Sequence, residues 1–555
     1  MPKIKINGNE HEFPEGMNVL EACKNVGIYV PHFCYHPLLR TVGSCRMCKV
    51  EVSQNMRGSM QSRIDISCKV EVADGMEIRT DTPEVKKQQQ MTLEFLLSNH
   101  PLDCPVCDDA GECELQNFYF EFGQHDSRMI EPKIKNRKAF DIGRSIVLDN
   151  ERCVLCSRCS RFLEEVTHTH ELGIFGMGSA ESIMLKPGAR LDNDYAGNVV
   201  DLCPVGALTD KDYRFKRRVW YLKSTPSICE HCARGCNVRV DWDLNPYHWH
   251  KKTFQMRKHR TEATDLQRIQ RIKPRRNDAV NKEWICDTGR YGYKSTDSAD
   301  RLTQPVINES GELKPVEAGA VIKAFVTGLN SAIKSNPGKV AVVVSPKLTN
   351  EEIYAAWSLF RKRLELPNLD HKLPVDPEWT GDDLLKSADP FPNRLGCEWI
   401  GFVPDGNGLG VEDLNLAISN GKIDTLLTIL ADPREFLEEK SLSKLKRKFF
   451  ILRNLPEDLK EHVDAALPAA AWGEYRGTFT NFEGRIQRLE AAFDPEGEAQ
   501  PVWHWMIELA TGMKKSLKWR KTEDIMHSLS DHVINYKNLS YDSIGPEGVV
   551  VGDKA

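Results

Sequence analysis

Cysteine spacing constrains this chain more than any other feature of its sequence. Of its 17 cysteines, all but Cys23 and Cys397 fall into four spaced groups. In chain order these groups are Cys34, Cys45, Cys48 and Cys68; His100 with Cys104, Cys107 and Cys113; Cys153, Cys156, Cys159 and Cys203; and Cys229, Cys232, Cys236 and Cys286. Iron–sulfur clusters are held by thiolates, in runs such as C-x2-C that one distant cysteine closes. A chain with four such sets is therefore predicted to conduct electrons.

Composition describes an ordinary globular protein. The chain is 40% hydrophobic and 28% charged, and its net charge of -5 gives no support for nucleic-acid binding. No apolar run approaches the roughly 18–20 residues that cross a bilayer, and residues 1–13 alternate like a strand instead of resembling a signal peptide. We expect a reducing compartment, where clustered cysteines bind metal more often than they form disulfides.

The first group lies in a segment, residues 1–80, that is typical of a small β-rich domain. Plant-type ferredoxins bind a two-iron cluster with C-x4-C-x2-C and one remote cysteine. Here the gap before Cys45 is wider, but the tight pair Cys45/Cys48 and the remote Cys68 are present. The spacing predicts a two-iron cluster. Four thiolates also suit tetrahedral zinc, which is the alternative.

The second group contains only three cysteines, and His100 stands just before them. A predicted helix over residues 85–97 would deliver His100 at its end. Neutral imidazole can supply the missing fourth ligand, and replacing a thiolate by imidazole raises the reduction potential, as in Rieske centres. The alternative is that His100 is a surface or core residue.

The third group is typical of half of a bacterial ferredoxin. Residues 153–159 have the pattern C-x2-C-x2-C, and Cys203 precedes Pro204. In two-cluster ferredoxins the cysteine before proline binds the other cluster, not the one bound by its sequence neighbours. Cys203 can therefore close this set, which predicts a four-iron cluster in a ferredoxin-like fold. A zinc ribbon is the alternative.

The fourth group is followed by a predicted strand over residues 237–242, and Cys286 closes it after a long gap. Inside the gap, residues 251–276 hold ten Lys and Arg but only two acidic residues. A solvated basic face explains this run, or contact with an acidic partner surface; the segment lacks the aromatic or fold features of nucleic-acid binding.

The second half of the chain has a different pattern. Short apolar runs at 339–344, 424–430 and 448–452 alternate with helical stretches, which predicts an α/β domain with a parallel sheet. The glycines at 406–410 miss the G-x-G-x-x-G spacing, so we expect an ordinary loop there. After residue 514 the scattered charges predict an extended tail.

Three segments together resemble one known family. They are V-P-H-F-C-Y-H-P at 30–37, G-S-C-R-M-C at 43–48 and H-P-L-D-C-P-V-C-D at 100–108. They resemble the large iron–sulfur subunit, the G subunit, of NADH:quinone oxidoreductase (respiratory complex I), and the likeness runs in order from residue 1 to about 293. A weaker likeness at 477–485 resembles the molybdopterin oxidoreductase-like domain of that subunit.

The resemblance implies a multidomain chain of α/β and α+β type. The implied domains are a 2Fe-2S ferredoxin-like domain at 1–80, a His/Cys 4Fe-4S domain at 81–125, a 4Fe-4S ferredoxin-like domain at 140–218, a 4Fe-4S domain of molybdopterin oxidoreductase type at 222–294, a reduced molybdopterin oxidoreductase-like α/β domain at 295–513, and a C-terminal tail at 514–555.

The resemblance also implies a route for electrons. They would leave NADH through the flavin of a partner subunit, reach the [2Fe-2S] cluster of the first group, and pass through the [4Fe-4S] clusters of the third and second groups towards quinone. The [4Fe-4S] cluster of the fourth group would lie off this path. The implied partners are the flavoprotein NADH-binding subunit and other iron–sulfur and peripheral-arm subunits. Contact with a bacterial inner membrane, on its cytoplasmic side, would come only through them.

Two departures from related molybdenum enzymes argue against a working molybdopterin site. Those enzymes often carry lysine two residues after the closing cysteine, where this chain has Thr288, and the α/β part is short for the family. We therefore expect no molybdopterin.

Two other classes of protein remain open on the sequence. The electron-transfer subunit of an NAD-linked hydrogenase or formate dehydrogenase shares the first three groups. An active hydrogenase would need more cysteines after residue 286, where only Cys397 follows, and formate dehydrogenase would need a molybdenum ligand. A zinc-stapled scaffold without redox chemistry is the third class, and analysis for iron and sulfide would distinguish it.

Overall fold

The chain divides into two compact units, Met1–Leu222 and Lys223–Ala555. The computed structural model describes residues 1–56, 59–124, 126–244, 247–250, 255–258 and 267–551. Helices and strands are numbered below in chain order. In this described part of the chain, no helix is both long and apolar enough to cross a membrane.

The first unit contains three small sheets and five helices in its described residues. Its strands are β1 (Lys3–Ile6), β2 (Asn9–Glu12), β3 (Lys49–Met56), β4 (Ser59–Ile66), β5 (Glu77–Arg79), β6 (Phe140–Asp141), β7 (Ile146–Leu148), β8 (Leu172–Phe175), β9 (Ser182–Leu185) and β10 (Leu208–Asp210). Its helices are α1 (Val19–Asn25), α2 (Pro83–Asn99), α3 (Glu114–Phe122), α4 (Arg158–Glu165) and α5 (Asn198–Leu202). The sheets have the orders β2-β1-β5-β3-β4, β10-β7-β6 and β8-β9.

Local sequence explains the N-terminal part of this unit. In β1, Ile4 and Ile6 face the core while Lys3 and Lys5 are exposed, as the period of two of a strand requires. Helix α1 begins at an N-cap, Asn18, whose side chain accepts a hydrogen bond from the Glu21 amide at 2.9 Å. Helix α2 ends at His100, which is its C-cap. The predicted strand, helix and position of His100 are therefore confirmed.

The second unit is built around one large sheet. Its strands are β11 (Lys223–Ile228), β12 (Asn237–Trp242), β13 (Tyr247–His250), β14 (Gln255–Lys258), β15 (Ile269–Pro274), β16 (Val306–Glu309), β17 (Glu312–Pro315), β18 (Val340–Val344), β19 (Asn368–Asp370), β20 (Thr425–Ile429), β21 (Arg447–Leu452), β22 (Ala465–Pro468), β23 (Gly477–Thr480), β24 (Arg485–Leu489) and β25 (Val549–Val550). Its helices are α6 (Asp287–Tyr291), α7 (Ala318–Ser335), α8 (Asn350–Trp357), α9 (Arg394–Ile400), α10 (Leu414–Ser419), α11 (Glu439–Lys444), α12 (Val502–Gly512), α13 (Thr522–His532) and α14 (Tyr541–Ile544).

The large sheet confirms the expected parallel α/β architecture. Its order is β17-β16-β22-β21-β20-β18-β19, and the five strands from β22 to β19 pair in parallel. Strand β18 is buried at every position, because helices cover both faces of a parallel sheet and leave no strand face in water. The glycine-rich segment at 406–410 is a loop, as predicted.

The expectation of an extended tail after residue 514 is wrong. Helix α13 packs Ile525, Met526 and Leu529 into the main core of the second unit, and Tyr536 and Tyr541 join the same core. Strand β25 pairs antiparallel with β24. These apolar residues recur at helical spacing among many charged ones, so the surface charges hid an amphipathic pattern.

A buried carboxyl group links α8, β23 and α14. Glu351, which is 0% exposed, accepts hydrogen bonds from the Thr478 amide at 2.8 Å, the Thr478 hydroxyl at 3.0 Å and the Tyr541 hydroxyl at 2.9 Å. Burial raises the pKa of this carboxyl to about 7, against the hydrogen bonds, which lower it. The folded state therefore favours the protonated form.

This raised pKa predicts that stability falls as the pH rises from about 4.5 to about 7. In that window the folded chain keeps the Glu351 proton and the unfolded chain releases it, so the free energy of unfolding should decrease by roughly 3 kcal/mol. Glu351→Gln should remove this part of the pH dependence. Guanidinium denaturation followed by tryptophan emission at pH 5, 6, 7 and 8 measures the effect. The exposed Glu457→Gln is the matched control, and equal pH slopes for both variants would contradict the prediction.

Candidate metal centres

The first group lies where β3 begins and β4 ends. Cys34, Cys48 and Cys68 are buried and Cys45 is partly exposed. The thiols form two hydrogen-bonded pairs, Cys34 with Cys45 and Cys48 with Cys68. The bond from Cys45 lowers the pKa of Cys34 to about 5, and the bond from Cys68 lowers the pKa of Cys48 to about 7. The same bonds, together with burial, raise the pKa of Cys45 and of Cys68. Each pair therefore favours one thiolate, the form that binds metal, beside one neutral thiol.

The loop that carries the first group directs backbone donors at sulfur. The amides of Ser44 and Cys45 both hydrogen-bond Cys34. Gly43 before them has a φ of +70°, and a Cβ there would lie 2.9 Å from Cδ1 of Ile66, so this turn requires glycine. Hydrogen bonds to cluster sulfurs are one of the factors that set a reduction potential.

The third group surrounds a small cavity. Its four cysteines line this cavity together, and the other lining side chains are almost all apolar. The loop between the cysteines turns through positive φ angles at Leu155 (53°) and Ser157 (60°), and the Leu155 amide lies 3.4 Å from the sulfur of Cys153. Burial raises the pKa of Cys153 to about 12. These thiols therefore need a bound cation beside them to ionise at neutral pH.

The second group borders a cavity of about 430 Å³ that is lined by His100, Cys104 and Cys113. Cys107 and Cys113 are buried, whereas Cys104 is exposed. Burial, together with the nearby charges of Lys133 and Arg152, lowers the pKa of His100 to about 4. The imidazole is therefore neutral at physiological pH, as a metal ligand must be.

A single loop joins the second and third groups. The carbonyl oxygen of Pro204 accepts a hydrogen bond from the Glu114 amide at 3.0 Å, and it lies 3.9 Å from the sulfur of Cys113. At Gly206, a Cβ would lie 2.1 Å from the sulfur of Cys107. The segment that carries Cys203 therefore packs directly against the second group. Gly206 was missed by the sequence reasoning, although its place three residues after Cys203 was a signal.

A buried ion pair also links the second and third groups. Arg152 donates to one oxygen of Asp103 from Nε at 3.2 Å and from Nη2 at 3.0 Å. Each of these residues immediately precedes the first cysteine of its group. Lys138 binds the same Asp103 oxygen at 2.5 Å. Paired charge of this kind is expected where a guanidinium is buried, and Arg152 was not singled out from the sequence.

The fourth group lies at the start of the second unit. Cys229, Cys232, Cys236 and Cys286 are all buried, and their thiols are close enough to influence one another electrostatically. The Cys229 amide donates to the Cys236 carbonyl at 2.9 Å. At Gly289, a Cβ would lie 3.0 Å from the sulfur of Cys229. Burial raises the pKa of all four thiols.

The structure places the four cysteines of the third group around one cavity, and it places Cys104 and Cys113 of the second group with His100 around another. The thiols of the first and fourth groups lie close enough to influence one another. Three groups supply four thiols each and one supplies three thiols and a neutral imidazole, which are the donors that iron–sulfur clusters use. Among the described residues, no three His, Cys, Asp or Glu side chains converge closely enough to hold a single metal ion. That each of the sixteen residues is a cluster ligand remains a prediction.

The basic run at 251–276 lies partly outside the described residues, which omit 251–254 and 259–266. Two of its described arginines, Arg268 and Arg271, are paired with acidic side chains and so do not form a solvated face. Arg268 pairs with Asp297 and Glu474, each at 2.6 Å, and is mostly buried. Arg271 bonds Asp241 at 2.8 Å.

The second unit has a cavity of about 220 Å³ beside the fourth group. It lies at the carboxyl ends of β20 and β21, and its lining includes His231, Lys347 and Arg453. Ligands of open parallel sheets bind at this end of the strands. Arg453 is already bonded to Glu230 at 2.7 Å.

Family models match five stretches of the chain. They are a 2Fe-2S iron-sulfur cluster binding domain at residues 2–83, the NADH-ubiquinone oxidoreductase-G iron-sulfur binding region at 89–128, the ferredoxin-like domain of NADH-quinone oxidoreductase subunit 3 at 143–209, an NDSU1/NuoG-like 4Fe-4S domain of NADH-ubiquinone oxidoreductase at 263–294, and a molybdopterin oxidoreductase domain at 418–511. The expected series of 2Fe-2S, 4Fe-4S and molybdopterin oxidoreductase-type domains is therefore confirmed.

Curated proteins of one kind resemble the chain. The G subunit of NADH-quinone oxidoreductase from Rickettsia bellii is 34% identical over 97% of this chain and 90% of its own length. The NADH-ubiquinone oxidoreductase 75 kDa subunit of Reclinomonas americana is 35% identical over 98% of this chain and 93% of its own length. The G subunit from Streptomyces coelicolor is 37% identical over 74% of this chain. The matched part spans 45% of that relative, about half of its length.

The histidine of the second group offers a direct test of the predicted ligand set. His100→Cys would keep four ligands but add negative charge, so the cluster should survive with a lower reduction potential. His100→Ala should lose or distort the cluster. EPR redox titration of the complex that contains the chain measures both effects. His11→Cys, on β2, is the matched control. An unchanged signal and midpoint in both His100 variants would show that His100 is not a ligand.

Proposed function

The chain belongs to the family of the NADH-quinone oxidoreductase G subunit, and from this premise we propose that it is an iron–sulfur electron-transfer subunit of such an enzyme. It would carry electrons from the flavin of a partner subunit towards quinone and would not itself bind NADH. The sixteen predicted ligands would hold one [2Fe-2S] and three [4Fe-4S] clusters, which supply one-electron chemistry when bound. The chain's own residues bury these clusters, offset their charge and, within the first unit, fix the spacing of the three that it would hold.

One observation carries this proposal: three predicted cluster sites share one apolar core in the first unit. Cys34, Cys113 and Cys156 belong to a single buried cluster of side chains with Phe33 and Phe118. Close contact through a dry core favours electron transfer between centres, because little solvent has to reorganise when an electron moves. An arrangement of this kind is not needed by a zinc-stapled scaffold.

The contacts also support an order among the centres. The loops of the third group touch both others: Arg158 donates to the Tyr35 carbonyl at 2.8 Å, and the Cys203–Gly206 loop packs against Cys107. An electron that enters at the first group would therefore reach the second through the third.

The second group has the features of an exit point. Cys104 is exposed, and large apolar side chains near it are exposed as well: Leu102 (89%), Phe120 (70%) and Val106 (57%). An exposed apolar patch marks a surface that another protein covers. We infer that the next subunit towards quinone docks here, and that the chain reaches the membrane only through such partners.

We also infer that the molybdopterin oxidoreductase-type domain carries no molybdopterin. The cavity beside the fourth group, at about 220 Å³, is smaller than the roughly 300–1,000 Å³ of typical sites for organic ligands. Position 288, where related molybdenum enzymes often carry lysine, is Thr288. The cavity is also partly lined by the Glu230–Arg453 ion pair.

Elemental analysis of the complex that contains this chain tests the cofactor proposal. The intact chain should account for about fourteen irons, from one two-iron and three four-iron centres, with matching acid-labile sulfide and no molybdenum or tungsten. Partner subunits add iron, so a sample of the isolated chain reconstituted with iron and sulfide provides the count. Stoichiometric zinc with little sulfide would refute the clusters, and stoichiometric molybdenum would refute the second inference.

Removal of one cluster from the proposed electron-transfer path tests the function itself. Cys153→Ser removes a ligand of the third group, so quinone reduction by NADH should fall below about a tenth of the wild-type rate, since a four-ligand cluster is lost. Reduction of ferricyanide at the flavin should stay near normal. Cys23→Ala, which changes a buried cysteine outside the four groups, should leave both activities intact. Normal quinone reduction by Cys153→Ser, with its cluster absent by EPR, would contradict the proposal.

A further inference from the structure

A buried arginine bridges the first and third groups. Arg161, on α4, is 3% exposed. Its Nη2 donates to the carbonyl oxygens of Cys34 and, at 3.4 Å, of Cys156. Its other donors bind the Arg40 carbonyl and, at 3.1 Å, the hydroxyl of Ser157. A single guanidinium therefore touches the backbone of one predicted ligand from each of two centres.

The positive charge of Arg161 has no carboxylate partner among the described residues. The neighbouring arginines differ in this respect, because Arg152 lies 3.0 Å from Asp103 and Arg158 lies 3.7 Å from Glu114. Glu165 influences Arg161 only at a distance, and its carboxylate accepts a hydrogen bond from the Arg40 amide at 2.7 Å. Burial lowers the pKa of Arg161, but a guanidinium stays charged in proteins.

An unpaired buried charge is costly unless something of opposite sign lies nearby. Clusters held by four thiolates carry net negative charge, which increases by one unit on reduction. On either side of Arg161 the predicted ligands Cys34 and Cys156 would hold such clusters. The missing counter-charge of Arg161 is therefore explained by the centres themselves, and this explanation rests on the function proposed above.

We propose that Arg161 sets the reduction potentials of the first and third centres together. A fixed positive charge stabilises the more negative, reduced form of each cluster, because net charge is one of the determinants of cluster potential. Since one guanidinium acts on both, it raises the two potentials in the same direction and leaves the step between them little changed. Arg161 is a positioning residue that acts through the cluster ligands.

Three variants separate this electrostatic role from a merely structural one. Arg161→Gln removes the charge and keeps an amide that can donate to the carbonyls. Arg161→Lys keeps the charge and loses the planar fork. Arg40→Gln removes a charge that is two-thirds exposed and therefore screened by water. Midpoint potentials of the two-iron and four-iron signals, measured by EPR titration of the whole complex, are the readout.

Arg161→Gln should lower both midpoints by at least a tenfold change in each reduction equilibrium, which for a one-electron couple is about 59 mV. Arg161→Lys should shift both by clearly less, and Arg40→Gln should resemble wild type. The cluster of the second group, which Arg161 does not touch, serves as an internal reference. Arg161→Met is a second neutral variant if the glutamine variant loses a cluster.

Unchanged midpoints in a neutral Arg161 variant would overturn the inference, as would equal shifts in Arg161→Gln and Arg161→Lys. Failure of the proposed function looks different, because the wild-type protein would then lack the signals of the first and third centres.

Discussion

Negative charge at buried sulfur is the constraint on which the first unit depends. Thiols lose water when they are buried, and desolvation opposes their ionisation. The chain offsets this cost with amide donors at Cys34, with hydrogen-bonded thiol pairs, and with guanidinium groups placed between the loops. The same groups hold the cysteine loops against one another. The same side chains therefore balance the charge and set the distances between the loops.

Sequence reasoning found the four groups because metal ligands repeat at short, local spacings that a linear pattern records. It found the distant cysteines as well, but not the residues outside the four groups that reach each site from a distance. Arg161 reaches the carbonyl of Cys34 across 127 positions, and Gly206 is required by a sulfur in another group. Such contacts depend on how loops meet in space. The sequence shows arginines beside and between the cysteines, but no local pattern distinguishes a buried arginine from a solvated one.

In the second unit, strands were easier to predict than the C-terminal helices. Strand β18 is an unbroken run of small and β-branched apolar residues that only a buried sheet accommodates. Helix α13 presents only a narrow apolar stripe among charges, yet Leu529 is 0% exposed. The carboxyl of Glu351 was equally invisible, because its partners Thr478 and Tyr541 lie 127 and 190 positions away.

The Cys203–Gly206 loop belongs to two predicted metal sites at once, and this affects how iron is inserted into the protein. Cys203 lies in the third group, while Pro204 and Gly206 pack against cysteines of the second. Iron bound at either site would hold this shared loop in place, so insertion at the two sites should be cooperative. A cell short of iron would then accumulate chains with both sites filled or both sites empty. Few chains would have only one site filled and so accept electrons without passing them on.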